Sequence, residues 1–301
     1  MTTIIHASSF DDASERLEAL QVSGASVPII ISRLSDEELL SRLSGVKYGI
    51  FDFDDTLTTG NQHKKIREKI EPKNASFDEA IIDWMMSEHK CFLSIRPEMI
   101  WFANMEKPEL IEQGMFQAAF IAKNAADMVA AKMSRYSLQS IGRNLPVRDG
   151  AIDLLRHFTH CCIITYGHNE IVNAWLNQHE VGATVAGLWL HFNSTDQVVG
   201  FHPGTLVTGT NKGIIAKRFR EQEGYATEPF LTVGDRPFDI EMMFDNSQDA
   251  NVLILPPAKA KARLAEFQTR EFRNTWNRVS ALLISDSFAP LIELLGAPHR
   301  G

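Results

Sequence analysis

Tyr48-Gly49-Ile50-Phe51-Asp52-Phe53-Asp54-Asp55-Thr56-Leu57-Thr58-Thr59-Gly60 is the stretch whose reading decides the fold. An apolar run from Tyr48 to Phe53, rich in β-formers, is broken by Asp52 and then by Asp54 and Asp55. That pattern is a buried strand that ends abruptly in a polar loop. Asp52 and Asp54 are two residues apart, so on an extended segment they face the same side. Carboxylates gathered at the edge of an apolar core repel one another and lose solvation. A divalent cation resolves that conflict, and ligation by oxygen without Cys or His points to Mg²⁺ rather than zinc.

Outward from this strand, the sequence after Pro146 alternates between short apolar runs and helical patterns. Helices are predicted over Gly150 to His157, Asn169 to Asn177, Lys212 to Glu221, Phe238 to Phe244 and Phe288 to Leu295. Strands are predicted over Cys161 to Thr165, Pro229 to Val233, Val252 to Leu255 and Ala281 to Ser285. Gly187 to Phe192 and Val198 to Phe201 read as a hairpin. The alternation means βαβ units: an α/β chain with a Rossmann-like, mostly parallel sheet. Ligands of such sheets bind at the carboxyl ends of the strands. The residues placed there are Asp52, Asp54 and Thr56, then Thr165-Tyr166-Gly167, then Gly234-Asp235 with Asp239 four residues on. Lys212 opens a helix beside them.

Two other segments differ in texture. Residues 1–45 read as a helical N-terminal extension packed on the core, with Phe10, Ala13, Leu17 and Leu20 at helical spacing and a capping box at Ser35-Asp36-Glu37-Glu38. Val27 to Ile31 has the composition of a short strand. Residues 61–144 carry almost no strand signal and read as an inserted helical domain. Its helices are predicted over Phe77 to Met86, Pro108 to Phe120 and Ala119 to Met133, with seven of the ten methionines as core filler. The core is then 46–60 together with 145–301.

The four motifs, in this order, resemble those of the haloacid dehalogenase-like hydrolases. Asp52-Phe53-Asp54-Asp55-Thr56 is similar to that family's DxDxT, Thr165 to its strand-ending Ser or Thr, Lys212 to its phosphate-binding Lys, and Gly234-Asp235-Arg236-Pro237-Phe238-Asp239 to its GDxxxD. The resemblance covers residues 46–60 and 147–296. It places 61–144 where the family's C1-type cap sits, and the stretch Gly187 to Gly213 is similar to the phosphoserine-phosphatase branch. It implies a Mg²⁺-dependent phosphatase acting on a small phosphorylated metabolite. In that reading Asp52 is the nucleophile and Asp54 the general acid and base, while Thr165, Tyr166 and Lys212 hold the phosphoryl group. Asp52, Asp54 (through its main-chain carbonyl) and Asp235 hold the metal, with Thr56, Gly234 and Asp239 in support. A phosphotransferase or phosphomutase would keep the same motifs, and a catalytically inactive protein that binds through its cap is the remaining alternative. A dehalogenase has no use for a leaving-group acid at Asp54. Those phosphatases carry an acidic residue early in the cap, where this chain has Asn61 and Gln62, so the resemblance does not extend to an amine contact.

For substrate specificity, the residues nearest the start of the insertion are Lys64, Lys65 and Arg67. Arg96 is an isolated cation further along it, and His168 follows the Thr165 loop. Composition narrows the partners. Acidic residues outnumber basic ones by 38 to 30, a net charge of −8, so no basic field exists for nucleic acid or an anionic membrane. No run approaches 18 uncharged apolar residues, and Met1 to His6 lacks a basic n-region and a long apolar run, so a cytoplasmic location is expected. Cys91, Cys161 and Cys162 are an odd number without CxxC spacing, which excludes a disulfide framework or a zinc ribbon.

Overall fold

The computed structural model describes residues 2–22, 28–70, 108–267 and 275–296. Eight strands form one sheet: β1 (Thr3–His6), β2 (Ile29–Ser32), β3 (Tyr48–Phe51), β4 (His160–His168), β5 (Thr184–Leu188), β8 (Phe230–Gly234), β9 (Ala250–Leu255) and β10 (Ala281–Ile284). Their order across the sheet is β1-β2-β10-β9-β8-β3-β4-β5. Every pairing is parallel except β2 with β10. A separate hairpin joins β6 (Leu190–Phe192) to β7 (Val198–Phe201). The chain is thus an α/β, Rossmann-like protein built on a mostly parallel sheet.

Burial explains why short apolar runs become these strands. Every residue of β8, β9 and β10 is buried, whereas the edge strands β1 and β5 are partly exposed. Strands covered on both faces need continuous apolar runs rather than alternation. The register sets the site. Phe51 lies opposite Val233 on one side and Ile163 on the other, so the residues that follow these three positions come level across β3, β8 and β4. Asp52 leaves β3 with its N–H still bonded to the Val233 carbonyl at 2.9 Å, and Asp235 and Thr165 lie one or two residues beyond their own paired positions.

Between β3 and β4 the described residues form four helices: α3 (Gln62–Ile70), α4 (Pro108–Ala130), α5 (Arg135–Arg143) and α6 (Ala151–His157). Pro108 to Met133, predicted as two helices, contains one continuous 23-residue helix. The predicted helix Phe77 to Met86, Arg96 and Cys91 fall outside the described residues. Helix α5 docks on α7 (Asn169–Gln178) so closely that a Cβ on Gly142 would sit 2.2 Å from the Ile171 carbonyl oxygen. The last turn of the insertion is therefore fastened to the helix that follows β4.

Residues 1–45 correct one expectation. They form α1 (Phe10–Val22) and α2 (Asp36–Gly45), but they also add β1 and β2 to the sheet. Three β-branched residues, Ile29, Ile30 and Ile31, are buried there against Leu282, Leu283 and Ile284. The N-terminal extension is an α/β continuation of the core rather than a helical lead-in. Gly187 and Leu188 likewise belong to the edge strand β5 rather than to the hairpin. Pro237–Met242 is a 3₁₀ turn instead of an α-helix. Among the described residues, no helix is long and apolar enough to cross a membrane.

Candidate active site

The loop after β3 is held in one unusual shape. Asp55 has φ +60°, a left-handed conformation that non-glycine residues rarely adopt. Arg148, 2% exposed, holds the turn closed: its Nε donates to the Thr56 carbonyl at 2.6 Å and another guanidinium N–H donates to the Asp55 carbonyl. The two main-chain oxygens that the turn leaves without helical partners are thereby satisfied. Arg148 was missed in the sequence because a lone Arg after Val147 carries no pattern.

Around this loop the strand ends bring together the residues singled out from the motifs. Lys212, the first residue of α8 (Lys212–Gln222), is 1% exposed and donates to Asp52 Oδ1 and to Asp239 Oδ1, both at 2.6 Å. Its ammonium sits 4.7 Å from the centre of the Tyr166 ring. Burial opposes that charge, but Asp239 and Asp52 together outweigh it and hold the lysine above its ordinary range. Thr56 Oγ1 donates to Asp52 Oδ2 at 3.0 Å and lies 3.3 Å from Asp235 Oδ1. Asp239 Oδ2 accepts the N–H groups of Asp235 and Arg236, each at 2.9 Å. Gly234 is required there, because a Cβ would sit 2.2 Å from that of Asp239.

Carboxylate oxygens of Asp52, Asp235 and Asp239 lie within 4.8 Å of one another, all three buried. Burial pushes Asp52 up to about 6 against the pull of Lys212. Burial first, then the charges of Asp239 and Asp52, push Asp235 well above the usual carboxylate range. Asp235 Oδ2 accepts no hydrogen bond, although the Arg263 guanidinium lies 3.1 Å away. A buried carboxylate oxygen without a hydrogen-bond donor, in an all-oxygen cluster, fits a hard divalent cation. Both oxygens of Asp239 accept from Lys212 and two N–H groups, and both of Asp52 accept from Lys212 and Thr56, so Asp235 Oδ2 is the oxygen of the three carboxylates that accepts no hydrogen bond.

Asp54 points elsewhere. Its Oδ1 accepts the Gln62 main-chain N–H at 2.7 Å and its Oδ2 accepts Gln62 Nε2 at 2.8 Å. Burial nonetheless pushes it up to about 7, against those bonds. Thr165, 1% exposed, accepts the Gly167 N–H at 3.0 Å and shapes the turn that follows β4.

A cleft of about 430 Å³ opens over these groups, lined by Asp52, Asp54, Thr165, Tyr166, Lys212, Asp235 and Asp239. Its outer wall brings in Gln117 and Glu266, which the sequence did not single out, together with Asn61 and His63 from the start of the insertion and Arg236 and Phe238 from within the Gly234–Asp239 motif. They come from four separate stretches of chain, and no local motif flags Gln117 or Glu266. Lys64, Lys65 and Arg67, proposed from the sequence, do not line this cleft. Lys64 and Lys65 are exposed, and Lys65 pairs with Glu68 at 2.9 Å. His168 is fully buried rather than placed at the cleft mouth or facing water, with its ring edge-on to His63 at 5.6 Å. Burial pulls His63 down to about 4 and His168 well below its usual range.

No protein-family model and no curated protein sequence matches the chain. Solved structures do match. A cytosolic 5'-nucleotidase IIIB bound to cytidine is 13% identical with a TM-score of 0.58, over 93% of this chain and 95% of that one. A substrate-bound phosphoserine phosphatase is 13% identical with a TM-score of 0.52, over 82% of this chain and 97% of that one. The likeness is one of fold: the chain shares the α/β fold of these two structures.

Proposed function

We propose that the chain is a Mg²⁺-dependent phosphatase of a small phosphomonoester that works through an aspartyl-phosphate. One observation carries the reading. Asp52 stands at the carboxyl end of a central strand with Lys212 and Thr56 hydrogen-bonded to its carboxylate, and it shares one cleft with Asp54, Thr165 and Asp235.

The roles follow from chemistry. An Asp52 oxygen attacks phosphorus as the bond to the ester oxygen breaks, so one hard displacement becomes two easier ones. Asp54 gives its proton to the departing alkoxide. It then takes a proton from the water that attacks the aspartyl-phosphate, releasing phosphate and restoring Asp52. A carboxyl held near 7 suits both directions of transfer at neutral pH. Thr165, the N–H groups of Tyr166 and Gly167, and Lys212 would hold the phosphoryl oxygens. Asp52, Asp235 and the Asp54 main-chain carbonyl would hold Mg²⁺, which supplies charge neutralisation between an anionic nucleophile and an anionic phosphoryl group. Residues 61–144 would form the cap over this site, and the group beyond the phosphate would meet Asn61, His63, Gln117 and Phe238. A cytoplasmic phosphorylated metabolite is the substrate class that fits.

Testing this takes the purified protein, p-nitrophenyl phosphate and a panel of phosphorylated metabolites, with Mg²⁺ and with chelator. Mg²⁺-dependent release of phosphate, and an acid-stable, hydroxylamine-labile phosphoryl label absent from Asp52→Asn, are expected. Full activity in chelator would refute the metal, and label in Asp52→Asn would refute the nucleophile.

A further inference from the structure

Gln62 is fully buried although it is the first residue of a helix. Its amide is satisfied at both ends by the catalytic loops. The NH₂ group donates to Asp54 Oδ2 at 2.8 Å, and the carbonyl Oε1 accepts the His168 main-chain N–H at 2.8 Å. Chemistry fixes that orientation. A flipped amide would set its carbonyl against a carboxylate and its NH₂ against an N–H. Gln62 also donates its own main-chain N–H to the second oxygen of Asp54. Space for the amide exists because residue 167 is glycine: a Cβ there would lie 1.7 Å from Gln62 Nε2. The next residue anchors the same turn to the insertion. His63 Nδ1 meets Asn124 Nδ2 of α4 at 3.0 Å, and its ring packs edge-on against Phe120 at 5.0 Å.

We propose that Gln62 is the positioning residue of the acid: one side-chain amide ties Asp54 to the turn after Thr165 and couples both to the first turn of the inserted helices. The inference rests on the phosphatase reading above. Its consequence is that the aim of Asp54 depends on where the insertion sits. A turn of α3 that shifts away from α4 pulls Gln62 with it and swings the acid off the leaving oxygen. A proton donor displaced by about 1 Å loses much of its effect on rate. The effect falls on the ester whose leaving group needs a proton, not on one that departs as a stable anion.

Two variants separate this role from a merely structural one. Gln62→Met removes both ends of the amide. Gln62→Glu, assayed at pH 8, keeps an acceptor for the His168 N–H and sets an acceptor against Asp54. For both, kcat on an alkyl phosphate such as glycerol 2-phosphate should fall about tenfold further than kcat on p-nitrophenyl phosphate, a part of the 10²–10⁴ that positioned proton transfer contributes. Competitive inhibition by inorganic phosphate should weaken in Gln62→Met and persist in Gln62→Glu. Equal losses on the two esters in both variants would overturn the positioning role, because a general loosening of the fold acts on both alike. Unchanged rates on both esters would overturn it as well. If the unaltered protein hydrolyses neither ester, the phosphatase reading fails and takes this inference with it.

Discussion

Asp235→Asn should make the metal-free protein more stable and the enzyme inactive. Asp235 is 1% exposed, and its Oδ2 accepts no hydrogen bond. Burial, then Asp239 and Asp52, raise it well above the usual carboxylate range. A folded-state value raised above the unfolded one contributes stability at low pH that is lost as pH rises through the folded value. Without metal, the charged form of Asp235 therefore works against folding near neutrality. An asparagine keeps the shape. Its amide can leave the oxygen toward Arg263 and turn the NH₂ toward Thr56 and Asp52. Relieving one poorly satisfied buried charge is worth about 1–2 kcal/mol, after allowing for the weakened Arg263 contact. An unfolding entropy of about 2.1 cal/mol/K per residue gives about 0.6 kcal/mol per degree for 301 residues, so Tm should rise by about 2–3 °C. The gain should be larger at pH 8 than at pH 6, because the aspartate it replaces is charged more fully there.

Mg²⁺ should reverse the ranking. At a concentration of about 100 times Kd, a bound ion adds about 2.7 kcal/mol, or about 4 °C, to the unaltered protein and little to Asp235→Asn. The assay is a thermal melt of both proteins at both pH values, with chelator and with a Mg²⁺ series. A lower Tm for metal-free Asp235→Asn would refute the claim that burial and the neighbouring carboxylates outweigh the contacts of Arg263 and Arg236 with this group. An equal Mg²⁺-induced rise in both proteins would refute its role as a ligand.

Asp52→Asn should reduce turnover of p-nitrophenyl phosphate by roughly 10⁴-fold or more while the melt stays cooperative; near-normal rates would exclude Asp52 as nucleophile. Asp54→Asn should slow an alkyl ester by roughly 10²–10⁴-fold and a nitrophenyl ester much less, and equal losses would remove it from acid catalysis. Because burial holds Asp54 up at about 7, kcat on the alkyl ester should decline as pH rises through 7, where the proton to be donated is lost. His168 and His63 lie below their ordinary values, so the unfolded chain binds more protons than the folded one just below pH 6.5, and stability decreases there as the pH is lowered. His168→Leu should therefore lose less Tm than the unaltered protein between pH 7 and pH 5; identical losses would mean that His168 is not a buried neutral group.

The parts of the fold that could be read in the sequence are those whose burial is complete. β8, β9 and β10 are covered on both faces, and their unbroken apolar runs mark them without any partner in view. β1 is different. Thr3 to His6 lies at the sheet edge with exposed ends, and its four residues carry neither a long apolar run nor alternation. Only its parallel pairing with Ile29 to Ser32 makes it a strand. The split between the two predicted helices of Pro108 to Met133 has a similar cause. The two apolar patterns overlap at Ala119 and Phe120, and one helix from Pro108 to Ala130 runs through both without a break.

The floor of the candidate site could be read for a related reason, and its outer wall could not. Asp52, Thr165 and Asp235 each sit at the end of a strand whose own pattern is strong, so the topology gathers them whatever the loops do. Lys212 adds to them a buried cation paired with both Asp239 and Asp52, an arrangement that the motif order anticipates. His63, Gln117, Arg236 and Glu266 have no such frame. Each is an ordinary polar residue on its own helix or turn, and each reaches the cleft only because of how α3, α4 and the segments after β8 and β9 are packed. Charge alone was a poor guide: Lys64 and Lys65 are the obvious cations near the insertion, yet a lysine on a helix start gains most by staying hydrated. Arg148 and Gln62 are the reverse case. Both are buried because main-chain and carboxylate oxygens of the Asp52–Thr56 loop need donors, a demand that exists only once that loop has taken its left-handed turn at Asp55. Chemistry carried by strand ends is therefore visible from composition and order, while the residues that aim it become visible only through the hydrogen bonds the folded loop leaves open.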